Sequence, residues 1–461
     1  MSKKSSRVNK VQENRGAIIP HAGIEYAGEA RESALSKLNK NANLIIYLSA
    51  LHIQRSEDNK IYQLHIDNGF PSINMSDITN KLSDGAKKEH SFKWVEKELR
   101  NKFPKAKILV LAPSINSNIS NLSTIIIKFL NKYKNSIIIA TTDLTHYGSE
   151  FGNKDTLQFP QQLFKLISEE PIIEAMVNIE PKSKILKSDI IDAPQAIHTF
   201  LNVAKDMNWK GRVTDYYDSS GVTDDYLDRY VIRDIPVSKF VSYVSIVYGY
   251  RNLKGLFVTD IMATIGLVKS VIIASLNNNK YKNILRLPSW NPLNKQNQGV
   301  FVGTKISNRT NCSYGDYEEE KFTSVSDKIV QAASNCLRDS KERWMIPYNR
   351  ENIDKMDYKV ELLQQKKNWK EYKGSEVEKY FKLNGKQGIY LHLPSGSSAT
   401  YLPIVSRNKE DEWTINVYMT ELSRKAGDKT KSGSEWKRGS IKIYESDSYT
   451  WDKKQQQINK T

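Results

Sequence analysis

Ser136-Ile137-Ile138-Ile139-Ala140-Thr141-Thr142-Asp143-Leu144-Thr145-His146-Tyr147-Gly148 is the stretch that decides how this chain folds. Its apolar run predicts a strand buried on both faces. A carboxylate and an imidazole, three residues apart, follow at the strand's end, where open α/β sheets place their sites. The pattern recurs twice upstream. Gly16-Ala17-Ile18-Ile19-Pro20 runs into His21, and Leu44-Ile45-Ile46-Tyr47-Leu48 runs into Ser49-Ala50-Leu51-His52. Three β-rich runs that each end in a histidine predict one polar cluster along one edge of one sheet.

Outward from these runs, strands are expected over 16–20, 44–49, 107–112, 136–142, 212–217 and 240–249. Helices are expected at 91–102, 121–133 and 193–207. Such alternation predicts an α/β layered domain over 16–250, after a disordered tail at 1–15. From 255 to 450 the order changes. A helix around 258–276 is followed by a strand at 299–302, a helix at 324–341 and a strand at 358–363. Strands at 388–393 and 400–405, a helix at 414–426 ending on Gly427, and a strand at 440–444 complete it. This order predicts a separate α+β domain, and residues 451–461 read as a polar tail.

A chain of 461 residues is long enough for two or three domains. The net charge of +17 is concentrated in the second half, where 251–461 carry 36 Lys/Arg against 24 Asp/Glu. That balance admits an anionic partner, nucleic acid included, but no dense basic block marks one. Cys312 and Cys336 are the only cysteines and lack CxxC spacing. This argues against a disulfide framework and for a reducing, cytoplasmic setting. The polar, basic N-terminus does not resemble a secretory signal. The apolar stretch 261–276, broken by Lys269 and Ser270, reads as a core helix, so no membrane partner is expected.

Six of the seven histidines lie before residue 200. His21 and His52 with Asp143 can form a site of two imidazoles and one carboxylate with open positions. That set suits non-haem iron, and imidazole also suits copper or zinc. His146 could act as acid or base beside the ion. His90, in Glu89-His90-Ser91, and Asp218, Ser219 and Asp224, after another strand, could support the site or line its pocket.

These residues resemble a family. Pro20-His21-Ala22-Gly23, the strand ending in His52, Glu89-His90-Ser91, Thr142-Asp143-x-x-His146-Tyr147-Gly148, and Asp218-Ser219-Ser220-Gly221 followed by Val241-Ser242-Tyr243 are similar, in order, to the motifs of the Memo family. The resemblance implies a fold like the class III extradiol dioxygenases, a mixed sheet flanked by helices. It also implies an iron or copper site at His21 and His52, with zinc a weaker candidate. Two departures stand out. The family's Gly-Pro-Ser-His-His segment is Ser49-Ala50-Leu51-His52 here, and Gly221-Val222 occupies the place where some members supply a cysteine ligand. Asp143 is therefore the first choice for third ligand, with Asp224 or water behind it.

In the second half, Gly299–Val302, Arg343-Trp344-x-x-Pro347, Tyr358–Leu363, Gly385-x-x-Gly388, Tyr401-Leu402-Pro403-x-Val405 and Leu422–Gly427 resemble an AMMECR-type domain. Its Leu-Arg-Gly-Cys-Ile-Gly signature corresponds to Arg309–Gly315. Cys312 is then a candidate nucleophile or thiyl site, against a purely structural reading for it and for Cys336. The pair of domains resembles AmmeMemoRadiSam systems, which implies a radical-SAM partner and redox modification of a small molecule, a nucleobase or another aromatic group. The competing reading is a non-catalytic adaptor, binding a peptide or nucleic acid, with a degenerate metal site.

Overall fold

The computed structural model describes residues 14–52, 59–73, 78–81, 89–151, 161–183, 190–221, 225–232, 239–250, 255–278, 284–317, 324–365, 368–408 and 412–460. The chain divides into two units. One comprises Met1–Asp260 with Pro288–Trp290, and the other Ile261–Leu287 with Asn291–Thr461.

The first unit is built on one mixed sheet. Its strands are β1 (Gly16–Ile19), β2 (Leu44–Leu48), β3 (Ile61–Ile66), β4 (Ile78–Thr79), β5 (Lys107–Pro113), β6 (Ser136–Thr141), β7 (His146–Tyr147), β8 (Lys210–Asp218) and β9 (Phe240–Gly249). The sheet order is β4-β3-β5-β2-β6-β1-β9-β7, with β8 also paired to β9. β5, β2, β6 and β1 run parallel, β3 is antiparallel to β5 but parallel to β4, and β9 is antiparallel to β1, β7 and β8. The central strands are apolar on both faces because both faces are covered. Ile138 and Ala140 of β6 enter one core with Ile46, Leu48 and Ile18, while Ile137 and Ile139 enter the other with Ile45, Tyr47 and Ile19.

Helices α1 (Ile24–Leu35) and α2 (Ser91–Lys102) cover the second face, through Ala34, Leu35, Phe92, Val95 and Leu99. Helices α3 (Ile119–Lys132) and α6 (Pro194–Asp206) cover the first. Between them in sequence lie α4 (Gln161–Ser168) and α5 (Glu170–Val177). The polar entry to α3 caps it as its sequence suggests, since the Asn118 side chain accepts from Asn121 N. Strands β3, β4 and β7 and helices α1, α4 and α5 lie outside the stretches expected from sequence. The short strands lie toward the sheet's edges and lack the long apolar run that marks β6.

Residues 1–13 of the expected tail lie outside the described residues, but Arg15 is fixed. It is buried, and its guanidinium donates to Leu130 O at 2.7 Å and Ser136 O at 2.9 Å. The loop Pro288–Trp290 belongs to this unit as well. Ser289 N donates to Glu170 Oε2 at 3.3 Å, and Trp290 meets the Tyr216 ring edge to face.

Asp215 on β8 gives the first unit a pH-dependent term. It is fully buried; Oδ1 accepts from Tyr216 N and Tyr230 OH, but Oδ2 has no partner. Burial pushes its carboxyl up to about 6, against the pull of the Tyr230 hydrogen bond. Native Asp215 thus holds its proton up to about 6, while the unfolded chain releases it near 3.9. The native state binds more protons in between, so this group's contribution falls as pH rises from about 4 to 6 and stays low above. In urea unfolding, Asp215→Asn should gain on the native chain by on the order of 3 kcal/mol between pH 4 and 7. A difference between the two chains that does not move with pH would contradict this.

The second unit has two antiparallel sheets. Strands β10 (Val300–Ile306), β11 (Arg309–Asp316), β12 (Asp357–Leu363), β17 (Ser446–Asp452) and β18 (Gln457–Lys460) form one, in the order β11-β10-β12-β17-β18. Strands β13 (Lys370–Lys373), β14 (Gly388–His392), β15 (Ser398–Tyr401) and β16 (Ser440–Tyr444) form the other. Helix α7 (Val258–Leu276) opens this half of the chain. Among the described residues it is the one helix long and apolar enough to cross a membrane, and 83% of its most apolar window is buried in the protein. Helix α8 (Val325–Glu342) packs on β10 and β11. Helix α9 (Ile415–Lys425) ends before Gly427, whose φ of 96° is the left-handed turn that glycine accepts freely.

Three expectations give way here. The strand expected over 400–405 ends at Tyr401, and Pro403–Asn408 is a short helix. Residues 451–461 are not a polar tail up to Lys460, because Trp451 is buried and Gln457–Lys460 pair with β17. Cys312 on β11 and Cys336 on α8 are joined as a disulfide, with Cα atoms 5.3 Å apart and both residues fully buried. The pairing spans 24 residues of sequence and depends on α8 docking on β11, which local spacing does not show. Cys312 therefore has no free thiol to act as a nucleophile.

Candidate metal centre

The three parallel strands β2, β6 and β1 are adjacent, and their ends deliver the site. His21 follows β1, His52 follows β2, and Asp143 follows β6. His21 N donates to Asp143 Oδ1 at 2.9 Å, which locks two of these ends together. Thr142 N donates to Ile19 O at 3.0 Å, continuing the sheet beyond the last formal strand residue.

Both imidazoles are oriented from behind. Thr141 Oγ1 donates to Ile19 O, so at 3.0 Å it accepts from His21 Nδ1. His52 Nδ1 lies 3.2 Å from both oxygens of Glu89. With Nδ1 protonated in each ring, both Nε2 atoms present lone pairs, and they face each other at 3.1 Å. Glu89 is itself fixed at the start of α2, accepting from His52 N at 2.9 Å and from His90 N and Ser91 N at 2.8 Å. Burial pushes its carboxyl up, but the bonds from His52 and Ser91 outweigh that and hold it at about 2.

The carboxylate that closes on both histidines is Asp192, not Asp143. Asp192 Oδ2 lies 3.1 Å from His21 Nε2 and 3.5 Å from His52 Nε2. Asp143 Oδ2 stands 3.8 Å from His21 Nε2, and its Oδ1 is engaged by the His21 backbone. Asp192 Oδ1 accepts from Thr142 Oγ1 at 2.8 Å and Asp143 N at 3.0 Å, which aims Oδ2 at the histidines. Oδ2 is buried, and despite these short distances it receives no hydrogen bond of acceptable angle.

Two Nε2 atoms and one carboxylate oxygen thus form a triangle with sides of 3.1, 3.1 and 3.5 Å. Donors about 2.1 Å from one ion stand about 3.0 Å apart at right angles and about 3.4 Å apart at tetrahedral angles. The residues fit a metal ion. Without one, protons do the same work. Burial lowers His52, but Asp192 and Glu89 raise it to about 10. His21 is likewise raised, because Asp143 and Asp192 overcome the cost of its burial. Burial pushes Asp143 up, opposed by His21, whereas Asp192 sits far below the usual carboxylate range because both histidines outweigh its burial.

The other expected residues are placed as follows. His146 Nδ1 donates to Leu144 O at 2.9 Å, and the ring forms a possible ligand group with Asp143 and Asp192. His90 stacks on His52, with centroids 4.9 Å apart, and packs on Trp94. Its ring is lowered by burial and by His52. Asp218 is paired with Lys165 Nζ at 2.6 Å, and Ser219 Oγ accepts from Val241 N. Neither belongs to a ligand group among the described residues. Asp224 lies outside them. Asp192 went unnoticed because it follows a loop rather than a strand; its one signal is an acidic residue two positions before Pro194, which starts α6.

A family profile described as Memo-like protein matches residues 1–231, and one described as AMMECR1 matches residues 265–449. A search of curated proteins finds no match. A solved structure, the uncharacterised protein PH0010 from Pyrococcus horikoshii, is 16% identical, with a TM-score of 0.36. The match covers 43% of this chain and 94% of that one.

Proposed function

The chain belongs to the Memo-like protein family, with an AMMECR1 domain behind the family's unit, and on that footing we propose that it is a metal-dependent redox protein. His21, His52 and Asp192 hold the ion, which is iron or copper. The observation that carries this reading is Asp192 Oδ2, a buried anionic oxygen aimed at two imidazole lone pairs. An iron or copper ion supplies electron exchange and a Lewis-acid position for a substrate oxygen. The chain's own part is orientation. Thr141 and Glu89 set the two imidazole tautomers, and Asp143 ties the β1 and β6 ends together. His52, 26% exposed, and Asp192, 13% exposed, mark the side from which a substrate enters.

The proposal extends to a radical-SAM protein as partner and to a small molecule or nucleobase as substrate, supported by the resemblance of this domain pair to AmmeMemoRadiSam systems. It places the protein in the cytoplasm. Full burial of Cys312 and Cys336 shields their bond from exchange with solvent thiols there.

The test is metal content after anaerobic reconstitution with ferrous or cuprous ion in turn. The native chain should retain one of them through desalting, and His52→Ala should lose it while its circular dichroism is unchanged. A native chain that retains neither would end the redox reading in favour of an adaptor.

A further inference from the structure

We propose that the second unit carries a separate small-molecule site, which takes a hydroxylated phosphate monoester of sugar-phosphate size. The site is a cavity of about 300 Å³ over one face of β12 and β17, at the small end of the range for ligand pockets. Glu361 of β12 and Ser448 of β17 pair directly across the sheet, so their side chains leave the same face. Lys359 and Ser446, two residues along each strand, share that face and complete the floor. The wall comes from Gly385 and Lys386 and from Pro403, Ile404 and Arg407 of the short helix Pro403–Asn408. Every one of these residues belongs to the second unit, so the site stands apart from the metal centre.

The floor suits hydroxyl groups. Glu361 is 2% exposed, with Oε2 accepting from Lys359 Nζ at 2.7 Å and Oε1 from Ser446 Oγ at 2.7 Å. An ionised carboxylate has about four acceptor positions, so each oxygen keeps room for a further donor. Ser448, 5% exposed, lines the cavity beside it, and its Oγ is buried with no hydrogen-bond partner. A buried hydroxyl left unpaired costs free energy, and a ligand hydroxyl at the floor removes that cost. Glu445, an exposed lining residue, adds a carboxylate with no cation paired to it among the described residues.

The wall suits an anion. Of the four lining cations, Lys359 and Lys460 are paired with Glu361 and Asp447. Lys386 and Arg407 have no carboxylate partner among the described residues. Their chains adjoin, because Arg407 lies against Gly385: a Cβ on Gly385 would stand 2.6 Å from Arg407 Cβ, and the φ of 69° there is one that glycine accepts freely. Two unmatched positive charges on adjoining backbone suit a phosphate, which carries close to two negative charges, better than a single carboxylate. The guanidinium fork can bond two phosphate oxygens at once. A cationic wall above a floor of hydroxyl partners thus calls for phosphate and hydroxyl groups in one small molecule.

Isothermal titration calorimetry on the whole chain tests this with ribose 5-phosphate, inorganic phosphate and ribose as probes. Ribose 5-phosphate should bind at least about tenfold more tightly than inorganic phosphate, and ribose alone should not bind detectably. Arg407→Ala should weaken ribose 5-phosphate by at least about tenfold, and Arg407→Lys should recover only part of that, because lysine keeps the charge and loses the fork. Ser448→Ala should weaken ribose 5-phosphate and leave inorganic phosphate unchanged, whereas a serine with a purely structural role would change neither. No binding of ribose 5-phosphate at millimolar concentration would overturn the proposal. Equal affinity for ribose 5-phosphate and inorganic phosphate would also overturn it, since the floor would then contribute nothing. Native affinity in both Arg407→Ala and Ser448→Ala would put the ligand elsewhere and overturn it too. None of these outcomes bears on metal retention by His21, His52 and Asp192.

Discussion

Asp192→Ala leaves the chain folded and without bound metal. Asp192 Oδ2 is the only carboxylate oxygen within 3.5 Å of both His21 Nε2 and His52 Nε2 among the described residues. Its removal leaves two imidazoles, with no anion to fix the ion between them. The loss of affinity should exceed the about 10–100-fold typical when only a partner behind a ligand is removed. Some stability goes too, because Asp143 N loses its acceptor, at about 1–3 kcal/mol for a buried donor, while Thr142 Oγ1 keeps Asp143 O at 2.8 Å. The contrast is with Asp143→Asn, which should still bind metal at the two histidines. Competition against a chelator of known affinity measures both. If Asp192→Ala binds as the native chain does and Asp143→Asn does not, Asp143 is the third ligand after all.

Arg31→Ala should cost about 3–5 kcal/mol of folding stability, the range for breaking a buried ion pair from one side. Arg31 lies on α1 and is fully buried. Its Nε and Nη2 grip both oxygens of Glu98 on α2, at 2.9 and 2.5 Å, and its Nη1 donates to Ala22 O at 2.6 Å. One side chain thus fastens α1 to α2 and holds the turn beside His21. Truncation leaves a cavity, a carboxylate largely out of solvent, and a carbonyl without its donor. Metal affinity should fall along with stability, because the His21 turn loses its brace. Urea denaturation of the metal-free protein reads the first effect. A loss below about 1 kcal/mol would mean that water replaces the guanidinium, and that the pair is a surface interaction in energetic terms.

What the sequence disclosed, and what it hid, follows from how local each feature is. β1, β2 and β6 were legible because a strand buried on both faces must be apolar at every position, and few other structures demand that. The residues just past such strands were legible for the same reason, hence His21, His52, Asp143 and His146. Asp192 was hidden because it reaches the site from a loop, where neither period nor strand end marks it. Asp143 was preferred for its position, yet position does not reveal that its Oδ1 is occupied by the His21 backbone. The Cys312–Cys336 bond was hidden because it joins a strand to a helix across a fold-level contact. In the C-terminal strands, Trp451 is the buried anchor, surrounded by polar residues that make the segment read as a tail.

The loop Pro288–Trp290 bears on how the protein could be taken apart. The chain leaves the first unit after Asp260, returns for three residues, and leaves again. No single scission separates the two units cleanly. A fragment ending at Asp260 would lack the indole that packs on Tyr216 and the N–H that meets Glu170. Its wound would lie on α5 and β8. Such a fragment should retain its metal ligands yet melt earlier than the same unit in the whole chain, because residues beyond Asp260 in sequence complete the first unit.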